Sequence, residues 1–202
     1  MFHVVLYQPE IPPNTGTIIR LCAATGSHLH LIGPLGFRLD APGLRRAGMD
    51  YRDLAQVSRW RDWDHYRQAF PDIESGRGRV AVSTRGTRHH GDWDHVPGEH
   101  LLFGSEGAGL PEAMIEEHRS ALLRIPMVPG CRSLNLAMSV AIVLYEGLRR
   151  NGFSGLDVVA GGDVRTGEDG PANFMDGSGQ KLHSGPVAIK GIISRQPDLG
   201  RV

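Results

Sequence analysis

Apolar positions in this chain come in short runs separated by turn residues. Leu101 to Phe103 and Leu122 to Met127 are two such runs, each followed by a loop of small and polar residues. Short apolar runs bounded by turn signals are the pattern of buried strands. His3 to Gln8 reads as a first strand, broken by Pro9, Pro12 and Pro13. Asn14 then stands where a helix N-cap is expected, ahead of Ile18, Ile19, Leu21 and Cys22, with Gly26 as the stop. His28 to Gly33 is a second strand. The first forty residues thus spell strand, loop, helix, strand, the unit of a parallel sheet.

The pattern continues. Ala41 to Gly48 suits a short helix, Ala55 to Ser58 a weak strand, and Asp62 to Phe70 a helix. Arg79 to Thr84 is a strand, Arg85 to Pro97 a polar loop, and Pro111 to His118 a helix. From Ser133 to Arg150, Leu134, Met138, Ala141, Ile142 and Tyr145 recur at helical spacing. About six strands alternating with helices predict an α/β fold, a parallel sheet covered by helices on both faces. In open sheets of this kind, ligands bind beyond the carboxyl ends of the strands.

Composition changes the picture after Gly152, where glycine and charged residues dominate. Only Val187 to Ile193 there suits a strand. We therefore expect a domain over 1–153 and a poorly ordered tail over 154–202. The 202 residues carry a formal net charge of zero, so charge gives no global case for nucleic acid. Both lysines, Lys181 and Lys190, lie in the tail. A lysine base is thereby excluded from the domain, while arginine offers a planar fork for phosphate. The two cysteines, Cys22 and Cys131, lack metal-ligand spacing and read as reduced thiols. No run reaches 18 apolar residues, and the start has no secretory pattern. A cytoplasmic protein with no membrane partner is expected.

Individually, the candidate chemical motifs are weak. Gly104-Ser105-Glu106-Gly107-Ala108-Gly109 lacks the spacing of a dinucleotide fold, a P-loop or a nucleophile elbow, so a tight turn is the simpler reading. His89, His90, Asp92, Asp94 and His95 sit in a polar loop, where solvation outweighs metal binding. Arg20 lies about two turns into the first helix, amid apolar residues, and suits a packed stem with a solvated head. Ser133 or Asn135 suits the cap of the last helix.

In combination they are specific. Asn14-Thr15-Gly16-x-Ile18-x-Arg20, then Phe103-Gly104-x-Glu106-x-x-Gly109-Leu110-Pro111, then Ile125-Pro126-Met127 with Ser133-Leu134-Asn135, occur in this order. They resemble the three motifs of the SPOUT (trefoil-knotted) RNA 2'-O-methyltransferases. PEIPPNTG, LRRAG and RIPMVP carry the likeness to the branch that methylates the ribose of the tRNA wobble nucleotide. The resemblance covers residues 1 to 153 and leaves the tail outside.

The resemblance implies a C-terminal deep trefoil knot, a homodimer joined near the first and last helices, and S-adenosyl-L-methionine as methyl donor. It implies cofactor contacts at Val82, Thr84, Gly104, Glu106, Ile125, Met127, Ser133 and Leu134. Arg20, Asn14, Ser133 and Asn135 would carry catalysis, and the partner would be the tRNA anticodon loop. No metal is implied. Arg38, Arg45, Arg46 and Arg52 would form an RNA patch. Methyl transfer to a ribose hydroxyl requires alignment and the loss of one proton. An arginine stays charged, so Arg20 suits binding an RNA phosphate and acidifying the hydroxyl rather than acting as base. Two other readings compete: an RNA-binding module without catalysis, or an enzyme acting on another RNA such as rRNA. A nucleotide-dependent oxidoreductase is disfavoured by the missing G-x-G-x-x-G.

Overall fold

The computed structural model of the chain describes residues 1–38, 55–75 and 78–156. In chain order these form β1 (His3–Tyr7), α1 (Pro12–Thr25), β2 (His28–Ile32), β3 (Gln56–Trp60), α2 (Trp63–Ala69) and β4 (Glu74–Ser75). There follow β5 (Gly78–Val82), β6 (Arg88–His89), β7 (His100–Phe103), α3 (Glu112–Glu117), β8 (Leu122–Arg124) and α4 (Leu136–Arg150). The strands make one sheet in the order β3-β2-β1-β7-β5-β8-β6, with β4 paired to β5. Every pairing between these strands is parallel.

Alternation along each strand sends side chains to opposite faces, and helices cover both. On one face Val4, Leu6, Leu29, Leu31, Val80, Val82, Leu101 and Phe103 pack with Ile18, Ile19 and Cys22 of α1 and with Val140, Val143, Leu144 and Leu148 of α4. On the other, Val5, Ile32, Ala81 and Leu102 pack with Tyr66 of α2 and with Met114 and Ile115 of α3. This is the expected α/β architecture, with two more strands than the pattern announced: β4 and β6 have two residues each. The expected polar loop over 85–97 contains β6 and a 3₁₀ turn at His90–Asp92. Phe153 and Leu156 pack against the α1–α4 core. None of the described helices is long and apolar enough to cross a membrane.

Two helix starts differ from expectation, for physical reasons. α1 begins at Pro12 with Ile11 as a cap position whose side chain makes no capping bond, so Asn14 lies inside the first turn. Proline needs no partner for a missing N–H, which frees the Asn14 amide for other work. α4 begins at Leu136 rather than Ser133, and Asn135 is the cap, its Oδ1 accepting from the N–H groups of Ala137 (2.9 Å) and Met138 (3.4 Å). β8 stops at Arg124, before Pro126, a residue that cannot donate to a ladder. The expected helix over 41–48, and the tail from residue 157, lie outside the described residues.

Candidate active site

The loops after β5, β7 and β8, with the start of α1, surround a cavity of about 620 Å³ at the carboxyl ends of the strands. That size falls within the range of small-molecule sites. All eight residues expected to hold a cofactor line it: Val82, Thr84, Gly104, Glu106, Ile125, Met127, Ser133 and Leu134. So do three of the four expected catalytic residues, Asn14, Ser133 and Asn135. Arg20 is on the same helix as Asn14, six residues further on. It is exposed and not part of the cavity wall. Arg38 is exposed; Arg45, Arg46 and Arg52 lie outside the described residues.

The walls are joined by one hydrogen-bond chain. The Glu106 carboxylate accepts from the backbone N–H of Glu10 (2.7 Å) and Ile11 (3.3 Å) and from the Asn14 side-chain amide (2.9 Å). Asn14 Oδ1 accepts from the Asn135 amide at 2.9 Å. Asn14 is 8% exposed, so this amide is a true interior link. Glu106 therefore fastens the first turn of α1 to the loop after β7, and its oxygens are spent there. The reverse bond is also present: Gly107 N–H donates to Glu10 Oε2 at 3.0 Å. Sequence reading missed Glu10, since a carboxylate in a proline-rich loop carries no motif of its own. Gly104 is required by close approach. A Cβ there would lie 2.1 Å from the Gly109 carbonyl carbon. Backbone thus closes on backbone where the loop turns back, with Ser105 and Gly109 bridged by N–H···O bonds of 3.0 and 3.2 Å. Arg85 pairs with Glu112, tying the loop after β5 to α3 and holding the Glu112 carboxyl below its usual range.

The opposite end of the sheet, where the strands begin, holds a different polar cluster that sequence reading did not identify. His28, His3 and His100 are register neighbours on β2, β1 and β7, and Arg79 adjoins His100 on β5. His30 joins them on the same face. Ligand atoms of His3, His30 and His100 lie within 4.8 Å of one another. The rings are nevertheless stacked, His3 on His100 at 4.1 Å and 2°. A metal must lie near the plane of each ring it binds, and parallel stacked planes do not meet. Hydrogen bonding also opposes ligation. Trp60 Nε1 can only donate, and it donates to His30 Nδ1 (3.1 Å). A neutral His30 then carries its proton on Nε2 and offers it to His3 Nδ1 (2.9 Å). Burial lowers the pKa of His30 and His100 far below the ordinary histidine value, which keeps the stack neutral. In the loop over 85–97, His95 is buried against Glu99 (2.5 Å), while His89 faces solvent. Both cysteines are free. Cys22 is buried, its thiol pushed up to about 12, and Cys131 is exposed.

Residues 1–145 match the model of the SpoU rRNA methylase family. The chain is 48% identical over 156 residues to a tRNA (cytidine(34)-2'-O)-methyltransferase of Burkholderia ambifaria, covering 77% of this chain and 99% of that one. It is 45% identical to the enzyme of the same name from Escherichia coli K12, covering 77% and 97%. Among solved structures, one described as giving insight into 2'-OH methylation of C/U34 on tRNA superposes with a TM-score of 0.69 at 40% identity, covering 76% of this chain and 97% of that one. The SpoU methyltransferase AviRb of Streptomyces viridochromogenes, in complex with AdoMet, superposes with a TM-score of 0.63 at 26% identity, covering 75% and 61%. By family match, identity and coverage, the chain belongs to the SpoU methylase family.

Proposed function

We propose that this protein is an S-adenosyl-L-methionine-dependent tRNA 2'-O-methyltransferase that modifies the ribose of the wobble nucleotide, cytidine or uridine 34. The observation that carries the reading is the single cavity into which Asn14, Glu106, Ser133 and Asn135 converge from three separated stretches of chain. Relatives covered almost end to end by this chain bear that activity in their names.

The cavity suits the cofactor. Its lining includes the apolar Val82, Phe103 and Ile125, fit for an adenine ring, beside the small residues Gly104, Gly107, Ala108 and Gly109. When bound, the cofactor supplies a methyl group already activated by a sulfonium. The chain's own task is alignment. Asn14, held by Glu106 and Asn135, sets the wall next to α1, and Arg20 on that helix meets the phosphate beside the target ribose and acidifies its hydroxyl. The strand order supports a deep trefoil knot: β8 lies between β5 and β6, within the loop laid down by earlier residues. A Cβ at Gly86 of that loop would lie 2.5 Å from the Leu123 backbone, so the two segments cross closely. α1 and α4 pack side by side, and Met138, Ile142 and Tyr145 leave an exposed apolar stripe on α4. That stripe suits a second copy of the chain, with the methyltransferase domain spanning 1–153.

The test is mass mapping of ribose methylation in unmodified tRNA incubated with the protein and S-adenosyl-L-methionine. Methyl transfer at position 34 is expected. Arg20→Ala should retain its fold and cofactor affinity while turnover falls about 100- to 1,000-fold. Near-normal turnover by folded Arg20→Ala removes Arg20 from the mechanism, and transfer at another nucleotide removes the wobble assignment.

A further inference from the structure

We infer that Arg132 binds an oxyanion of the bound reactants at the mouth of the cavity; the inference rests on the function proposed above. Arg132 is the only cationic residue among those lining the cavity. The only anionic one, Glu106, spends its carboxylate on the N–H groups of Glu10 and Ile11 and on Asn14. Several other arginines of the described chain find carboxylates: Arg79 with Glu117, Arg85 with Glu112, Arg119 with Glu116, and Arg149 and Arg150 with Glu146. Arg132 has no ion pair or hydrogen bond to any described residue. It is exposed and follows a tight turn in which Cys131 N–H donates to the Val128 carbonyl. It directly precedes the Ser133-Leu134-Asn135 run that forms the wall. A guanidinium left unpaired at the rim of an otherwise uncharged cleft is placed to receive a planar or tetrahedral oxyanion through two N–H donors.

Both reactants carry such a group. The methyl donor ends in an amino-acid carboxylate, and the acceptor ribose is flanked by phosphates. Two measurements on the full chain separate them. In calorimetry, wild type and Arg132→Ala are titrated with S-adenosylhomocysteine and with 5'-methylthioadenosine, which keeps the nucleoside thioether and lacks the carboxylate. If the carboxylate is the ligand, Arg132→Ala weakens the first roughly tenfold and leaves the second unchanged. In steady-state kinetics at saturating cofactor, a phosphate ligand instead raises KM for tRNA roughly tenfold, and the slope of log KM against log salt falls by about one. In either case Arg132→Lys recovers part of the loss, because it restores the charge without the fork. Unchanged affinity for all probes and unchanged KM in Arg132→Ala, beside a wild type that binds and transfers, overturns this inference alone. A wild type that binds none of the probes overturns it together with the proposed function.

Discussion

The two ends of the parallel sheet handle polar groups in opposite ways. At the start of the strands, His3, His28, His30 and His100 stack on one another beside Arg79, and burial strips them of charge. At the other end, the loops carry glycine, serine, asparagine and one spent carboxylate around an open cavity. The histidine end has the residue types usually associated with catalysis and holds the fold. The glycine end has little that looks reactive and holds the candidate site. The difference lies in where hydrogen-bonding capacity goes. The imidazoles satisfy Trp60, Tyr66 and each other, whereas the loops after β5, β7 and β8 line the cavity.

The sharpest way to break this comparison is Gly104→Ala. The added methyl would meet the Gly109 carbonyl carbon at 2.1 Å and Leu110 N at 2.4 Å, which are backbone atoms unable to swing aside. The loop from Gly104 to Gly109 must then reopen. Affinity for S-adenosylhomocysteine is expected to fall by about 100-fold or more, the order of loss seen when a preorganised set of donors is displaced. Wild-type affinity in a folded Gly104→Ala protein would mean that the cavity is not the binding site.

This also explains how much was legible in the sequence. The strands around His3, His28, Arg79, Leu101 and Leu122 were readable, because runs buried on both faces have a plain apolar signature. The ordered triplet of motifs picked out Asn14, Gly104, Glu106, Ile125, Met127, Ser133 and Asn135, which the structure gathers at one cavity, and Arg20, which is not in its wall. The start of α1 was not readable, since Asn14 has the chemistry of a cap and only the placement of Glu106, 92 positions later, shows what it bonds. The histidine stack was equally hidden. His3, His28 and His100 become neighbours only through strand register, and nothing local in sequence encodes register between β1 and β7.

A second effect, smaller, falls on stability. His30 and His100 are each 1% exposed, with folded pKa values pushed to about 2 and about 3 by desolvation and by neighbouring His3, His28 and Arg79. The unfolded chain takes up protons near pH 6.5, and the folded chain does not. Stability is therefore full above about pH 6.5 and falls as pH drops below it, continuing towards the folded pKa values. At pH 5 each group costs about 2 kcal/mol, while most carboxylates are still ionised in both states. Thermal denaturation should show Tm falling by several degrees between pH 7 and pH 5. A flat Tm over that window would mean that the stack is charged or hydrated. His100→Phe should flatten part of the slope and leave cofactor affinity alone.

The smallest expected effect gives the finest test of the contrast between the two ends. The Tyr66 hydroxyl is hydrogen-bonded to His100 Nδ1 in a fully buried setting, and burial holds the Tyr66 phenol well above its usual range, so it stays protonated and can donate. Tyr66→Phe keeps the ring that packs against Trp63, Phe70 and His30 and deletes only the donor. One buried nitrogen is left without its partner, which costs about 1 to 3 kcal/mol. For a domain of this size that lowers Tm by roughly 2 to 4 °C per kcal/mol. The same variant should bind S-adenosylhomocysteine and methylate tRNA as wild type does at 25 °C, because no atom of α2 lines the cavity. A Tyr66→Phe protein of unchanged Tm would show the bond to be worth nothing, and one with weakened cofactor binding would show that the two ends of the sheet are energetically joined.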